Sequence, residues 1–287
     1  MRYEAPTSIE AAVGLLAEAG GLAKVLAGGT DLLVQLRSGR MEPDLIIDIK
    51  RIDGMREIRE EAGGYRIGAA VSGAEMSEHA GLCALWPGVV EAAGLIGSTQ
   101  VQGRATLVGN LCNASPAADS VPAMVAAAAT VRAVGPEGAR DLPVESVNAG
   151  PGKTNLKKGE IVESVFLPAR PARASDAYLR FIPRTEMDIA VVGVGVSLEL
   201  DGAGAVSAAR VSLGAVAPTV LLVEEAAQAL IGSKLEEAAL EKLAAAASAA
   251  CKPIDDKRGT VEYRVKVAGV LARRAATIAC ERAQARA

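Results

Sequence analysis

Aromatic residues, histidine and paired cysteines are all scarce in this sequence of 287 residues. Aromatic side chains make up 2% of the chain, too few to stack a run of nucleobases, and the net charge of −3 does not predict a surface for nucleic acid. A single histidine, His79, excludes a metal site built from several imidazoles. The cysteines form no Cys-X-X-Cys pair, and the spacing of Cys83, Cys112, Cys251 and Cys280 fits no zinc or iron–sulfur signature. We therefore expect no nucleic-acid partner and no metal site in this chain.

Long apolar runs are also missing. The longest, Ile189 to Leu198, has the length of a strand and falls well short of the ~18 residues of a membrane span. No extended apolar core follows Arg2, so the N-terminal residues do not resemble a signal peptide. We expect a cytoplasmic protein with reduced cysteines and no membrane span. A chain of this length buries roughly three quarters of its unfolded surface, so its core needs no disulfide or metal.

The first of three predicted domains, residues 1–55, has the pattern of a βαβ unit. Apolar residues at helical spacing follow Thr7-Ser8, a pair typical of a helix N-terminus. After this helix we expect a strand, a short helix and a buried strand, at Ala23–Ala27, Asp31–Arg37 and Leu45–Ile49. The short helix is expected to turn its leucines inward, at Leu32, Leu33 and Leu36.

The second and third predicted domains, residues 56–172 and 173–287, differ in the order of their elements. In the second, we expect strands and helices at Tyr65–Val71, Ser77–Ala84, Val89–Leu95, Pro122–Ala129, Thr130–Val134 and Ile161–Leu167. The stretch from Gly97 to Ser120 has little periodicity. In the third, three strands precede three helices, at Tyr178–Ile182, Ile189–Leu200, Ala205–Val216, Val223–Leu230, Leu235–Ala249 and Lys257–Arg282. This order predicts a small α+β domain with an antiparallel sheet and helices on one face.

Two glycine-containing motifs are rejected as phosphate sites. Gly152-Lys153-Thr154 resembles the end of a P-loop, but that pattern needs a glycine where Val147 stands. Gly193-Val194-Gly195 resembles the start of a dinucleotide fingerprint, but Leu198 occupies the third glycine position. Glycines inside a strand are typical of close packing, so we expect a close contact there.

A loop rich in glycine is the first candidate for ligand binding. Ala27-Gly28-Gly29-Thr30-Asp31 joins a predicted strand to a predicted helix, so its glycines and unpaired amides can approach a phosphate closely. Asp31 would repel an anion, and we expect it to cap the helix or to accept a hydrogen bond from a ribose hydroxyl. The alternative is an ordinary turn between a strand and a helix.

A second candidate is the segment from Ala105 to Ser120. It mixes apolar residues with hydroxyl and amide side chains and carries one charge. This mixture suits a backbone wrapped around a polar ligand inside the protein. The alternative is a buried connector whose backbone is satisfied by its own Asn and Ser side chains.

Together, in this order, the two segments resemble the FAD-binding subunit of the molybdenum hydroxylases, the family of carbon monoxide dehydrogenase and xanthine dehydrogenase. The resemblance covers nearly the whole chain and is strongest over Ala105 to Pro122. It includes Tyr3-Glu4-Ala5-Pro6, Gly159-Glu160-Ile161-Val162 and Asp188-Ile189-Ala190-Val191-Val192. It implies an N-terminal FAD-binding α/β region of two subdomains, similar to the PCMH-type (vanillyl-alcohol-oxidase-like) proteins, followed by a C-terminal α+β domain.

The resemblance also implies which residues contact FAD. Those that would enclose its diphosphate are Ala27, Gly28, Gly29, Thr30, Asp31, Leu32, Thr106, Leu107, Val108, Gly109 and Asn110. Those that would follow the cofactor toward its ring system are Cys112, Asn113, Ala114, Ser115, Asp119, Val162 and Arg180. A cation at Arg180 would stabilise negative charge on the reduced flavin. Val108 departs from the family, which commonly has glycine there, and it would be strained if the position required a positive φ.

Electron transfer is the function that the resemblance implies. FAD in this chain would receive electrons from the [2Fe–2S] clusters of a small partner subunit and deliver them to an acceptor. A large partner subunit would hold the molybdopterin cofactor and oxidise the substrate, and the complex would be a dimer of heterotrimers. Two alternatives stay open. One is a non-catalytic scaffold, for which Val108 is the hint, and the other is a stand-alone FAD oxidoreductase with His79 as its base.

Overall fold

The protein is described by a computed structural model that covers residues 1–286. Its N-terminal elements are β1 (Arg2–Glu4), α1 (Ile9–Glu18), β2 (Ala23–Leu26), α2 (Leu32–Arg37) and β3 (Leu45–Asp48). The strands form a parallel sheet in the order β1-β3-β2. α1 begins where the sequence predicts, because Ser8 Oγ accepts a hydrogen bond from the Ala11 amide. The predicted βαβ unit is confirmed, with β1 as an additional edge strand.

The prediction that α2 turns its leucines inward is wrong for Leu33, which is 49% exposed. Its neighbour Val34 is 63% exposed, and no residue of α2 is fully buried. The helix has only six residues, and two of them, Leu32 and Gln35, line a cleft. Its apolar residues therefore cannot all be buried.

The second part of the chain is built on an antiparallel sheet with strand order β4-β5-β10-β6-β7. In chain order its elements are β4 (Ile58–Glu61), β5 (Gly64–Gly68), α3 (Gly73–Glu78), α4 (Ala80–Leu85), α5 (Pro87–Ala93), α6 (Thr99–Gln102), α7 (Leu107–Cys112), α8 (Ser120–Ala126), β6 (Thr130–Gly135), β7 (Gly138–Pro143), β8 (Asn148–Gly150), β9 (Lys153–Thr154) and β10 (Ile161–Leu167). β8 and β9 form a separate hairpin.

Strands β4, β7, β8 and β9 are additions to the sequence-based expectation, and two helical stretches also differ from it. The helix predicted over Ser77–Ala84 is two helices that meet at His79, whose Nδ1 accepts from the Leu82 amide and so caps α4. The stretch from Gly97 to Ser120, which has little periodicity, contains α6 and α7. Both helices span fewer than two turns, so an apolar repeat of 3.6 residues has no room to become visible.

The C-terminal elements are β11 (Ala174–Phe181), β12 (Val192–Leu200), β13 (Val206–Gly214), β14 (Leu221–Leu222), α9 (Glu224–Gln228), α10 (Glu237–Ala250) and α11 (Val261–Ala285). The strands pair antiparallel in sequence order, and the three helices share a buried core with one face of this sheet. This confirms the predicted α+β architecture, to which the two-residue strand β14 is an addition. The domain boundaries at residues 55 and 172 stay a prediction.

Valine and glycine alternate in β12, and the two faces of this strand pack against different helices. Val194 and Val196 belong to the core that α11 covers. Gly195 faces the opposite way, where an added Cβ would lie 2.6 Å from the carbonyl oxygen of Pro122 in α8. At Gly193 a Cβ would lie 2.6 Å from the Tyr178 hydroxyl. The prediction that these glycines mark close packing is confirmed, because a bare backbone face lets α8 lie directly on the sheet.

A buried ion pair between Arg170 and Asp176 of β11 is hydrogen-bonded to α5. Arg170 Nη1 donates to Asp176 Oδ1 at 2.8 Å, and the guanidinium lies 3.7 Å from the centre of the Trp86 ring. Asp176 Oδ2 accepts from the Val89 amide at 3.1 Å, and both charged side chains are 3% exposed. Such a pair is tolerated inside a protein because further hydrogen bonds satisfy it, and it fixes the C-terminal sheet against α5.

Two further observations concern the described residues as a whole. Among residues 1–286 no helix is long and apolar enough to cross a membrane. The four cysteines are free thiols; Cys280 is buried and the other three are half-buried.

Gly195→Ala tests the contact between α8 and β12. The added methyl group would press on the backbone of Pro122, so we expect a loss of about 1–3 kcal/mol in the free energy of unfolding, as for other overpacked positions. Urea denaturation measures it. Gly202→Ala is the matched control, since nothing lies within 4 Å of a Cβ at that position. Equal stability of the two variants would contradict the close contact.

Candidate functional site

The first loop presents a row of free backbone donors. It follows β2 and leads into α2, and the amides of residues 28–32 have no acceptor among residues 1–286. Gly29 has φ +79°, a conformation that side chains other than glycine rarely adopt. The carbonyls of Gly29 and Asp31 accept from Leu33 and Gln35, which fixes the turn from behind. Consecutive unpaired amides of this kind form an anion-binding concavity.

The second loop enters α7 through a capping hydroxyl. Thr106 Oγ1 accepts from the Gly109 amide at 2.9 Å. Val108 lies inside α7 and is not among the residues with positive φ, so valine is not strained there. The condition under which Val108 would disturb the loop is therefore absent.

The two loops touch each other through their backbones. A Cβ on Gly28 would overlap the carbonyl oxygen of Arg104, just before Ala105 and Thr106. A second link joins Gln35 Nε2 to Asn113 Oδ1 at 3.2 Å. Segments that lie far apart in the sequence therefore meet at one place.

Between them lies a cleft of about 1060 Å³, which includes space open to solvent. The predicted site residues that line it are Ala27, Gly28, Gly29, Thr30, Asp31, Leu32, Val108, Gly109, Cys112, Asn113 and Val162. Sequence reasoning missed other lining residues, namely Leu16, Ala23, Lys24, Val25, Leu26, Gln35, Ile49, Leu156, Glu160 and Ile161. Gln35 could have been found from its place one helical turn after Asp31. The wall is mostly apolar with a few polar groups, which is typical of cofactor sites.

The remaining predicted residues lie outside the lining of the described cleft; they are Thr106, Leu107, Asn110, Ala114, Ser115, Asp119 and Arg180. Several of them satisfy the loop itself. Asn110 Oδ1 accepts from the amide and hydroxyl of Ser120 at 3.2 and 2.7 Å, and Ser115 Oγ accepts from the Ala117 amide. The second loop therefore has residues of two kinds, and its contact with a ligand stays a prediction. Some face the cleft, and others act as a self-satisfied connector.

Asp119 and Arg180 form a buried cluster with Tyr178. Asp119 Oδ2 accepts from Arg180 Nη1 at 2.7 Å, and Oδ1 accepts from the Tyr178 hydroxyl at 3.2 Å. Burial raises the pKa of Asp119 to about 6, although both partners favour its ionised form. The cluster ties the second loop to β11, and the charge of Arg180 is paired within the protein.

The ionisable groups of the cleft differ in their environment. Burial raises the pKa of the Cys112 thiol to about 12, so this side chain lines the cleft as a neutral group at physiological pH. Hydrogen bonds from Arg140 hold the pKa of Glu160 below its usual range. Desolvation raises the pKa of Asp31, whose side chain does not cap α2, so the capping expectation is wrong. Within residues 1–286 no group of three His, Cys, Asp or Glu side chains could hold a metal.

Comparison with known proteins identifies the class of protein that this fold and cleft define. The family described as the FAD binding domain in molybdopterin dehydrogenase matches residues 1–170, and the CO dehydrogenase flavoprotein C-terminal domain matches residues 177–279. The chain belongs to this family of FAD-binding oxidoreductase subunits.

Individual relatives agree along the whole chain. The carbon monoxide dehydrogenase medium chain of Afipia carboxidovorans is 35% identical over 285 residues, which is 99% of this chain and 97% of the relative. A xanthine dehydrogenase FAD-binding subunit of Escherichia coli O157:H7 is 30% identical over 265 residues, 92% of this chain and 90% of the relative. A chain of reconstituted CO dehydrogenase from Oligotropha carboxidovorans superimposes with a TM-score of 0.93 at 34% identity, covering 100% of this chain and 98% of that one.

The buried carboxyl of Asp119 gives the cofactor-free protein a pH-dependent stability. Its folded pKa of about 6 lies above the ordinary value of 3.8, so the folded state holds this proton more tightly than the unfolded state. The contribution is complete below about pH 4 and is lost as the pH rises through about 6. We expect wild type to lose at most about 3 kcal/mol relative to Asp119→Asn between pH 4 and 7.

Urea denaturation at a series of pH values measures this difference in the free energy of unfolding. Asp53→Asn, at an exposed aspartate, is the control and should leave the pH dependence of wild type unchanged. The assignment is contradicted if the free energy of unfolding of wild type minus that of Asp119→Asn stays constant or rises between pH 4 and 7.

Proposed function

We propose that this chain is the FAD-carrying electron-transfer subunit of a molybdenum hydroxylase built from several subunits. It takes electrons from the [2Fe–2S] clusters of a small partner subunit and passes them to an acceptor, while a large subunit holds the molybdenum cofactor. The observation that carries the proposal is the single cleft lined by both loops, in a chain that belongs to the FAD-binding family. When bound, FAD supplies the redox chemistry, and the protein supplies position and electrostatics.

The donors of the cleft suit the diphosphate of FAD. The free amides of residues 28–32 offer hydrogen bonds to phosphate oxygens without a basic side chain. On the other wall, Val108, Gly109 and Asn113 line the cleft where α7 carries them, while Thr106 and Asn110 fix the shape of that wall. Asp31, which caps nothing, is free to accept from a ribose hydroxyl. These groups fit a nucleotide better than a bare anion.

The remaining site residues are proposed to follow the cofactor toward its ring system. Val162, on β10, offers an apolar surface for a planar ring, and Cys112 adds a neutral thiol to the lining of the same cleft. Asn113, Ala114 and Ser115 continue the second loop past the cleft. The buried Asp119–Arg180 pair, which joins this loop to β11, is proposed to form the far end of the site. The matching family segments support this assignment.

The assembly and the location of the protein are part of the same proposal. Relatives are medium chains or FAD subunits by name, which supports large and small partner subunits for this chain. We propose a dimer of heterotrimers in the cytoplasm. Within this subunit, residues 1–55 and 56–172 form the two FAD-binding subdomains, and residues 173–287 form the C-terminal domain.

The two alternative functions have no specific observation in their favour. The hint for a non-catalytic scaffold was strain at Val108, and that residue has an ordinary helical conformation. A stand-alone oxidoreductase would need His79 as a base, but its Nδ1 is engaged in capping α4 and His79 does not line the cleft in the described structure.

FAD titration of the cofactor-free chain tests the proposed site. We expect wild type to bind FAD with a flavin spectrum, and Gly28→Ala to raise the dissociation constant about tenfold or more. The added methyl group would overlap the Arg104 carbonyl and force the two loops apart, a cost typical of overpacked sites. Quenching of flavin fluorescence gives both dissociation constants. Gly20→Ala, where nothing lies within 4 Å of a Cβ, is the control and should bind like wild type. A wild-type chain that binds no FAD contradicts the proposal.

Reduction of the bound flavin in the assembled complex tests the electron-transfer role. We expect the visible flavin absorbance to bleach when the FAD-loaded chain, the two partner subunits and the substrate of the complex are mixed without oxygen. The chain with FAD and substrate alone should stay oxidised, because the oxidation takes place in the large subunit. Bleaching by the isolated chain would indicate a stand-alone oxidoreductase. No bleaching in a complex that still oxidises substrate would indicate a scaffold.

A further inference from the structure

A chain of hydrogen bonds runs from the N-terminal strand to the first loop. The Tyr3 hydroxyl donates to Asp48 Oδ2 at 2.7 Å. Lys50 Nζ lies 2.8 Å from Asp48 Oδ1 and donates to the carbonyl oxygen of Ala27 at 3.1 Å. Ala27 lines the cleft, whereas Tyr3, Asp48 and Lys50 stand behind it, outside the lining of the described cleft. These three side chains therefore touch the candidate site only through the loop backbone.

Within this series of hydrogen bonds, Asp48 and Lys50 are fixed by further contacts. Asp48 is 7% exposed at the end of β3, and its Oδ1 also accepts from the Lys50 amide at 3.0 Å. Burial alone would raise the pKa of Asp48, but the hydrogen bonds from Lys50 and Tyr3 and the charge of Lys50 hold it below its usual value. Because the Asp48 carboxylate is fixed, it restricts the Lys50 side chain, which would otherwise populate many rotamers.

The bond to Ala27 fixes more than one carbonyl. A peptide group is planar and trans, so its C=O and the following N–H point in opposite directions. With the Ala27 carbonyl turned toward Lys50, the Gly28 amide must point away from Lys50. That amide has no acceptor among residues 1–286, and Gly28 lines the cleft. Lys50 therefore orients the first of the free donors of the loop without contacting the cleft itself.

The loop needs such a restraint because its sequence allows many backbone conformations. Two consecutive glycines follow Ala27, and glycine adopts many more backbone conformations than other residues. Behind the loop, the carbonyl of Gly29 accepts from Leu33, but this bond leaves the peptide between Ala27 and Gly28 free to rotate. The lysine bond is the restraint that acts on that peptide directly.

We propose that Lys50, held by Asp48 and Tyr3, is a positioning residue that preorganises the Ala27–Gly28 peptide for the diphosphate of a bound dinucleotide. The proposal rests on the proposed function, since it names a residue that shapes the same site. The competing interpretation is a plain clamp between the ends of β2 and β3, which would affect folding but not ligand binding. The two differ in whether the affinity for FAD changes once the chain is folded.

Lys50→Met and Lys50→Arg separate these interpretations. Methionine keeps the length of the side chain but removes the donor to Ala27, whereas arginine keeps a cation that can donate to both Ala27 and Asp48. Losing a hydrogen bond from a charged group corresponds to a rise of roughly 10- to 100-fold in the dissociation constant of FAD for Lys50→Met. We expect Lys50→Arg to recover most of this loss. Arg273→Met, which removes an exposed ion pair to Glu237 in the C-terminal helices, is the matched control.

The measurements are the FAD dissociation constant by fluorescence titration and the melting temperature of each cofactor-free variant. A raised dissociation constant in Lys50→Met that Lys50→Arg restores, with Arg273→Met unchanged, supports the proposal. Affinity within twofold of wild type in Lys50→Met overturns it and leaves the FAD site intact. A wild-type chain without affinity for FAD overturns the proposed function instead.

A milder variant covers the case in which Lys50→Met does not fold. Tyr3→Phe removes only the hydroxyl that donates to Asp48, at a side chain that is half exposed, so the fold is retained. We expect a two- to fivefold rise in the dissociation constant, because Asp48 and Lys50 become less well held. An affinity for FAD equal to that of wild type in a folded Tyr3→Phe protein overturns the proposal.

Discussion

The close approach of two backbones at Gly28 and Arg104 is the constraint on which the rest of the site depends. At this point a residue with a side chain would overlap the facing carbonyl, so the loops can meet only because the first one carries glycine there. Their meeting brings residues 27–32 and residues of α7 to the lining of one cleft. The proposed phosphate site does not require a basic side chain, because free backbone amides at the start of a helix can themselves bind an anion.

Local patterns in the sequence were enough to predict most of the fold. The alternation in β12, the capping pair before α1 and the long helices of the C-terminal part all follow from residues adjacent in the chain, and they stand where expected. Strand β7 was missed because it is mostly exposed and has one large apolar residue, Leu142. The strands β1, β4, β8, β9 and β14 were missed because two to four residues carry no readable period. Helix α7 was not predicted for the same reason, although its six residues determine which side chains of the second loop line the cleft.

The candidate site was predictable only in part, for a related reason. Residues 27–32 are contiguous, and all six line the cleft. The residues of the second loop have different roles. Val108, Gly109 and Asn113 line the cleft, whereas Asn110 accepts a hydrogen bond from Ser120. Lys24, Leu156 and Glu160 join the wall from β2 and from the turn before β10, and only tertiary packing brings them there. Resemblance to a family predicts contiguous motifs well, but it does not predict such neighbours.

The ion pair between Arg170 and Asp176 limits how this kind of subunit can be cut and recombined. The arginine lies at the end of the FAD-binding part and packs on the Trp86 ring, and the aspartate lies in the first strand of the C-terminal part. A C-terminal segment without an acidic residue at the place of Asp176 would leave Arg170 buried without its partner, at a cost of several kcal/mol. A subunit assembled from parts of two relatives therefore needs both members of this pair to keep the buried contact neutral.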